Sequence, residues 1–339
     1  MSKGIEGKKN QTNSLSTLVV RMALILSILA VGLVFFIVMT VVSSNNLMSV
    51  ESESVSNVPS NILPSYSTCA FESFDEQTNL SGWFFKCDNP ISTIIVVHNT
   101  GDNRLQFGVD TIDMIEQWLD NNYNVFLFDL RNSGESEGDI SGYGYLEWQD
   151  VIGAISQVRM ISVTTDVILY GIGTGCTACS IAYSRLPEAN INEADLAEYS
   201  QSYQNLGFDR GYIKGIIFDS PAKNTDDYIY PVVRQREFLG NITDNFVAYA
   251  IRLSSGEDSS LNMVAEISRM PIPVCIIYGG HDTFIGADKI EQLVDERNRL
   301  NSNITTSLMV PGAGYLEAFT TDKTLYTDAV MNYLNTYFG

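Results

Sequence analysis

The chain has 339 residues, of which 45% are apolar, and its formal net charge at neutral pH is −20. This apolar fraction is enough for one sizeable core, and α/β proteins of this length often form a single globular domain. The acidity argues against nucleic acid as a partner and against anionic membrane surfaces, and a role in solubility alone is the preferred interpretation of it.

An apolar stretch near the amino terminus predicts a membrane span. It covers residues 18–42 and contains one charged residue, Arg21. Such a stretch can cross about 30 Å of hydrocarbon as a helix. A cleavable signal peptide would have a shorter apolar core and small residues at a cleavage site, so the pattern favours an uncleaved signal anchor.

The charges around this stretch predict its orientation. Lys3, Lys8 and Lys9 precede it, whereas the flank that follows has no Lys or Arg. By the positive-inside rule, residues 1–17 form a cytoplasmic tail and the main domain of this single-pass protein is extracytoplasmic, that is, extracellular or lumenal. Residues 43–67, rich in Ser, Asn and Val at their start, are predicted to be a linker.

The cysteines and histidines form no metal-binding spacing, so we expect neither a metal nor another cofactor. Cys69 and Cys87 flank a predicted hairpin, where they either form a disulfide or remain two buried thiols. Cys176, Cys179 and Cys275 fall on an apolar helix and an apolar strand, which indicates core packing.

Strand-like and helix-like segments alternate from residue 68 to the carboxyl terminus, after an opening antiparallel hairpin. The alternation predicts an α/β domain with a mostly parallel sheet and helices on both faces. The predicted hairpin strands are 69–74 and 80–87, the later strands 92–97, 124–129, 167–170, 214–219, 273–278 and 305–310, and the helices 111–122, 145–160, 174–183, 289–300 and 325–338.

Two connections are longer than those usual in such folds. Residues 184–212 are predicted to be a surface insertion with a short helix capped by Asn192. Residues 221–270 have a helical period and many aromatic residues, among them Phe238 and Phe246. Their position predicts a helical lid over the carboxyl ends of the strands, where ligands of such sheets bind.

Residues 166–183 pass from an apolar strand through Gly171, Gly173 and Gly175 into a helix of small residues. This pattern predicts a strand, a sharp turn and a helix. In a nucleophile elbow of the G-x-S-x-G type, the middle residue is a serine presented above the sheet. Here the middle residue is glycine, which has no side-chain nucleophile.

Five motifs occur in order along the chain. They are HNTG at 98–101, DLRNSGES at 129–136, GIGTG at 171–175, GGHD at 279–282 and PGAGY at 311–315. This set resembles the α/β-hydrolase superfamily, and more narrowly its membrane-anchored serine-hydrolase branch related to acylglycerol lipases and serine aminopeptidases. The resemblance covers roughly residues 68–338 and implies the α/β-hydrolase fold.

The resemblance implies a catalytic triad of which two members are missing. Asp282 matches the triad acid, but the nucleophile position is Gly173 and the histidine position is Tyr315. A phenol with a pKa near 10 is a poor base at neutral pH, and glycine supplies no nucleophile. At the elbow alone, the chain also resembles the N-myc downstream-regulated proteins, which have the hydrolase fold without a hydrolytic triad.

The resemblance also implies an oxyanion hole, formed by the backbone N–H groups of Thr100 and Thr174. His98 would order the first of these loops. Asn99 replaces the glycine that is usual in the family, which changes the expected geometry of that loop. Cys176 lies in the helix after the elbow, and Ser220 follows a neighbouring strand. Both are interpreted as structural rather than as substitute nucleophiles.

These observations predict a membrane-anchored pseudoenzyme whose lidded cleft binds a small apolar ligand or a protein partner. The alternative is an esterase-, lipase- or peptidase-like enzyme in which Asp282 acts with water or a different base. A third interpretation is a scaffold that works through the 184–212 insertion or through its tethered location. Replacing Gly173 by Ser together with Tyr315 by His is expected to restore weak esterase activity if the Asp282 loop keeps its register.

Overall fold

The domain is built on one sheet. The computed structural model describes residues 6–50, 52, 54–55, 62–237 and 239–339, with side chains from residue 17 onward. Within these residues the strands are β1 (Tyr66–Glu72), β2 (Asn79–Phe85), β3 (Ser92–Val97), β4 (Tyr123–Phe128), β5 (Val167–Ile172), β6 (Ile213–Asp219), β7 (Val274–Gly279) and β8 (Thr305–Val310). Their order across the sheet is β1-β2-β4-β3-β5-β6-β7-β8, and β2 is antiparallel to both of its neighbours whereas the other pairs are parallel.

Helices cover both faces of the sheet. The helices are α1 (Glu6–Met48), α2 (Thr111–Asp120), α3 (Trp148–Ile161), α4 (Thr174–Arg185), α5 (Glu193–Leu196), α6 (Gln201–Asn205), α7 (Ile229–Arg236), α8 (Gly240–Ser254), α9 (Met263–Arg269), α10 (Ala287–Asn301), α11 (Ala318–Thr321) and α12 (Lys323–Tyr337). α2 and α12 contribute Trp118 and Tyr326 to the core on one face, while α3, α4, α9 and α10 pack on the other. Central strands such as β3 are buried along their whole length, as strands covered on both faces must be. The predicted fold class is therefore confirmed.

The opening hairpin brings no cysteines together. Cys69 on β1 lies opposite Gly82 on β2, and the last paired residue of β2 is Phe85. Cys87 therefore lies beyond the ladder, and both cysteines are free and half-buried. Burial raises the pKa of each thiol. The disulfide alternative is thus not realised in this structure.

The carboxyl-terminal end of α1 differs from the predicted linker, because residues 43–48 are helical. Leu47 and Met48 are buried against the domain, and the Ser43 hydroxyl donates a hydrogen bond to the Glu237 carboxylate. The amide of Ser141 donates to the Met48 carbonyl at 2.7 Å. Contacts with the domain therefore extend the helix through a polar stretch that the sequence marks as a linker. Over Thr17–Met48, α1 is long and apolar enough to cross a membrane.

Both long connections contain helices. The 184–212 insertion contains α5 and α6, and the side chain of Asn192 accepts a hydrogen bond from the Asp195 amide as an N-cap. The 221–270 segment contains α7, α8 and α9. Tyr228 and Val232 from this segment line the cleft above Thr174, which is the position predicted for a lid. Phe238 lies outside the described residues.

Candidate functional site

Gly173 lies at the turn between β5 and α4, with φ 55° and ψ −121°. Residues with a side chain rarely adopt a positive backbone φ, so glycine suits this turn. The turn also needs close packing: a Cβ atom at Gly175 would lie 2.2 Å from the Val97 carbonyl oxygen. The sharp strand–turn–helix geometry of an elbow is thus present, with a bare backbone at its apex.

The side chain of Asn99 reaches from the loop after β3 into this turn. Its Oδ1 atom accepts hydrogen bonds from the Thr174 backbone N–H at 3.2 Å, the Thr174 hydroxyl at 3.3 Å and the Tyr315 hydroxyl at 3.1 Å. Its Nδ2 donates to the Asp102 carboxylate and to the Thr100 carbonyl, each at 3.0 Å. Within the side-chain amide only the NH2 group can donate, so the carboxylate and carbonyl partners fix which way the amide points.

Asn99 and Tyr315 occupy the space that a side chain at position 173 would need. A Cβ atom built on Gly173 would lie 2.4 Å from Asn99 Oδ1 and 2.6 Å from the Tyr315 hydroxyl oxygen. Both distances are far below van der Waals contact. Gly173, Asn99 and Tyr315 each differ from the pattern of the hydrolases that the chain resembles. The absence of a side chain at 173 leaves room for the other two.

The two backbone donors assigned by resemblance to an oxyanion hole already have partners. The Thr174 N–H donates to Asn99 Oδ1, and the Thr100 N–H donates to the Thr174 hydroxyl oxygen at 2.7 Å. An oxyanion hole stabilises the transition state through donors aimed at the developing charge. In this arrangement, side-chain oxygens of the protein itself accept those hydrogen bonds.

Asp282 follows β7 and is 4% exposed. Its Oδ1 accepts hydrogen bonds from the amides of Phe284 at 2.8 Å and Ile285 at 2.9 Å, whereas Oδ2 has no partner among the described residues. Burial raises the pKa of this carboxyl group. Tyr315 stacks on Phe284 with 4.5 Å between ring centroids, but its hydroxyl group points to Asn99 and not to Asp282.

His98 is fully buried, and both ring nitrogens are engaged. Nε2 accepts a hydrogen bond from the Leu130 amide at 2.9 Å, so Nδ1 carries the proton and donates to the Asn99 carbonyl at 2.8 Å. Burial lowers the pKa of this imidazole and keeps it neutral. These contacts hold the loop that carries Asn99. The other histidine, His281, is exposed, and no hydrogen bond joins it to the adjacent Asp282.

Cys176 and Ser220 both lie inside the protein. The Cys176 sulfur contacts the carbonyl oxygens of Gly171 and Asp219 at 3.2 Å, and burial raises its pKa well above the ordinary value. Ser220 is fully buried and donates to Asp219 Oδ1 at 2.9 Å. Neither group is open to a ligand in the cleft.

A buried carboxyl group that the sequence analysis did not single out lies beneath the site. Asp219 ends β6, and its Oδ2 accepts a hydrogen bond from the Tyr326 hydroxyl at 2.7 Å. Tyr326 in turn is hydrogen-bonded to Tyr170. Burial raises the pKa of Asp219 to about 7, against the effect of the Ser220 hydrogen bond. The sequence feature that could have indicated Asp219 is its position as an acidic residue at the carboxyl end of an apolar strand.

A cleft of about 290 Å³ lies over the turn. The residues that matter for its chemistry are Asn99, Thr174, Tyr228, Arg236, Phe284 and Tyr315. Its walls combine aromatic rings with the guanidinium group of Arg236 and the carboxylate of Asp102, while Asp282 does not line them. Within the described residues, no group of three or more His, Cys, Asp or Glu side chains is arranged to hold a metal ion.

No protein-family model matches the sequence. Two similar curated proteins are YfhR of Escherichia coli O157:H7, 28% identical over 270 residues, and YfhR of Salmonella typhi, 26% identical over 278 residues. Each match covers 76% of this chain, and they cover 76% and 78% of the respective relatives. Both relatives are described as uncharacterized, so they carry no activity to this chain.

Solved esterase structures share the fold. Esterase PF2001 of Pyrococcus furiosus matches with a TM-score of 0.62 at 17% identity, covering 86% of this chain and 99% of the esterase. A thermophilic esterase of Thermogutta terrifontis matches with a TM-score of 0.52 at 14% identity, covering 80% of this chain and all of that one. At such identities the likeness establishes the fold alone: this chain has the α/β-hydrolase fold, and its recognition from the five sequence motifs is confirmed.

Replacing Gly173 by Ala should destabilise the protein. The positive φ would cost about 1–3 kcal/mol, and crowding against Asn99 and Tyr315 would add about 1–3 kcal/mol. We therefore expect the free energy of unfolding of the detergent-solubilised chain to fall by about 2–6 kcal/mol, measured by denaturant titration.

Gly101→Ala is the matched control. Gly101 also has a positive φ, 89°, but a Cβ atom there would meet nothing within 4 Å. This variant should lose only the contribution from the positive φ, about 1–3 kcal/mol. Equal losses in the two variants would show that Asn99 and Tyr315 do not restrict the space at Gly173.

Asp219 should make the stability of the protein depend on pH. Its pKa is higher in the folded state than in the unfolded chain, so the folded state binds the proton more tightly. The stabilisation from this proton is complete below the unfolded pKa, near 4, and is lost as the pH rises through about 7. Melting temperatures measured from about pH 4.5 to about pH 8 should therefore fall with pH more steeply for the wild type than for Asp219→Asn.

The exposed Asp328→Asn provides the matched control and should keep the wild-type slope. If Asp219→Asn and Asp328→Asn show the same slope, then Asp219 is ionised in the folded protein throughout this range.

Proposed function

We propose that this protein is a membrane-anchored α/β-hydrolase-like domain that does not hydrolyse esters and instead binds a small apolar ligand in its lidded cleft. The observation that carries the proposal is the position of Asn99 Oδ1, which accepts the hydrogen bond of the Thr174 N–H and fills the space above Gly173. A hydrolase needs that space for its nucleophile and that donor for the oxyanion.

An enzyme that used Asp282 to activate water is less consistent with this geometry. A general base must come within hydrogen-bonding reach of the proton that it removes. Asp282 is buried, its free Oδ2 has almost no accessible surface, and it does not line the cleft. Water in the cleft would therefore not contact this carboxylate without a rearrangement of the Phe284 loop.

The size and lining of the cleft favour a small apolar ligand over a protein segment. Its volume of about 290 Å³ is at the lower end of ligand pockets, which are about 300–1,000 Å³. Tyr228, Phe284 and Tyr315 supply aromatic surface, and Val232 on α7 adds an aliphatic wall. The filled oxyanion position removes the usual donors for a ligand carbonyl group. Aromatic and aliphatic contact, with Arg236 and Asp102 at the wall, would then supply the binding energy.

The membrane anchor in this proposal is α1. Its outer surface between Leu18 and Val42 is apolar and exposed, as it would be in contact with lipid. The lysines before the span favour a cytoplasmic amino terminus, which would put the folded domain on the opposite side of the membrane.

The loss of hydrolysis can be tested with a fluorophosphonate probe and p-nitrophenyl butyrate. We expect the wild type neither to be labelled in the cleft nor to turn over the ester. Gly173→Ser with Tyr315→His should remain inactive, because Asn99 Oδ1 would still occupy the site. Adding Asn99→Gly should release the site, give fluorophosphonate labelling at position 173, and raise turnover about 100-fold or more over the wild type.

The requirement for Asn99→Gly revises the expectation from the sequence that two substitutions would suffice. In the triple variant, Asp282→Ala should abolish the gain, since an imidazole at 315 would then lack its carboxylate partner. Labelling of any cleft residue in the wild type would overturn the proposed loss of hydrolysis.

The proposed anchoring has its own test. We expect the full chain to stay in membranes during alkaline carbonate extraction and to float with vesicles in a density gradient. A tag at the carboxyl terminus should be protected from protease added to the cytoplasmic side, whereas a tag at the amino terminus should be cleaved. Release of the chain by carbonate would contradict anchoring by α1, and the reverse protection pattern would contradict the orientation.

A further inference from the structure

An apolar stripe runs along the outer face of α8. Residues three and four apart in a helix lie on the same face, so large side chains at this spacing form a continuous strip. The stripe consists of Leu239, Ile242, Phe246, Tyr249 and Leu253, each 47–62% exposed. The opposite face of α8 is buried through residues such as Val247 and Ile251. Single exposed apolar residues are normal on a protein surface, whereas a contiguous stripe indicates a binding surface.

The stripe is continuous with the apolar surface of α1. Phe36 packs edge-on against Phe246, with 5.0 Å between ring centroids. Ser43, further along α1, is hydrogen-bonded to Glu237, which lies before α8. Along α1 the contact moves forward from Phe36 to Ser43, while on the other segment it moves back from Phe246 to Glu237. The two helices therefore run antiparallel. The stripe therefore extends from the domain toward the span.

The length of α1 indicates the depth of this contact. A helix rises about 1.5 Å per residue, which places Phe36 about 27 Å beyond Leu18, where the predicted span begins. The hydrocarbon core of a bilayer is about 30 Å thick. With the span starting at Leu18, the pair formed by Phe36 and Phe246 lies at the edge of the hydrocarbon on the side of the folded domain.

A groove beside the stripe joins the same region to the cleft. It has a volume of about 630 Å³ and separates α1 from the end of α7 and the start of α8. Its α1 wall includes Phe35, Phe36 and Met39, which suit an acyl chain. The exposed Arg236 lies on the wall of this groove and on the wall of the cleft. Arg236 adjoins Glu237, whose partner Ser43 lies about 37 Å beyond Leu18 along α1. This is about 7 Å outside the hydrocarbon, so the guanidinium group is at the level of the lipid headgroups.

Resting on the membrane anchoring proposed above, we infer that α8 is a second membrane-contacting element: its stripe lies among the acyl chains of the leaflet next to the domain from Phe246 to Leu253, and at the headgroups at Leu239 and Ile242. The lid is then held in the bilayer and not in water. The cleft opens at the level of the headgroups, and its ligand is an amphiphile with an apolar chain that enters from this leaflet through the groove beside α1.

Tryptophan quenching by brominated lipids tests this arrangement in the full chain. Phe246→Trp and Leu253→Trp place probes on the stripe, and Met160→Trp places a control probe on α3, where Met160 is 72% exposed. Each variant is reconstituted in phosphatidylcholine nanodiscs with or without bromine on the acyl chains. The emission of the native Trp83, Trp118 and Trp148 is subtracted with the wild type.

We expect the fluorescence added at position 246 or 253 to fall about twofold or more in brominated discs, and the fluorescence added at position 160 to stay unchanged. Leu253→Trp keeps the test decisive if Phe246→Trp disturbs the packing against Phe36. Stripe probes quenched no more than the Met160 probe, in a chain that vesicle flotation shows to be membrane-bound, would overturn the inference while leaving the anchoring by α1 intact. Concentration-dependent self-association that shields unquenched stripe probes would assign the stripe to a second copy and would also overturn it.

Discussion

The geometry of the site depends on one side-chain amide. Asn99 joins the loop after β3 to the turn between β5 and α4, and its Oδ1 accepts hydrogen bonds from both the elbow backbone and Tyr315. This half-buried amide has all of its polar groups paired, because Thr100 and Asp102 accept from its Nδ2. The occupied donors, the bare turn and the tyrosine are therefore parts of one packed unit.

The fold could be predicted from the sequence because its signals are local and redundant. β3 and β8 have the predicted bounds, and the elbow glycines, the Asn192 cap and the alternation of strands with helices each point to the same architecture. The end of α1 could not be predicted, because its helix continues through Ser43 owing to a contact with Glu237, almost two hundred positions along the chain. Local composition contains no information about such a contact.

The candidate site was only partly accessible from the sequence. The motif order located Gly173, Tyr315 and Asp282 near the carboxyl-terminal ends of the strands, and it marked Asn99 as unusual. It could not show that Asn99 meets Tyr315, because the direction of a side chain in a loop depends on distant packing. The same limit hid the buried Asp219, whose raised pKa comes from surroundings supplied by several elements. The sequence therefore identified the residues of the site, but it could not predict the contacts between their side chains.

The crowding above Gly173 bears on how this site can change over generations. A serine arriving there alone would meet the Asn99 oxygen, and an imidazole arriving alone at 315 would find no nucleophile to activate. Removing Asn99 first would deprive the Thr174 N–H and the Tyr315 hydroxyl of the acceptor that they share. Each single substitution toward a hydrolase is thus disfavoured on its own. Hydrolysis would return only if all three residues were replaced together.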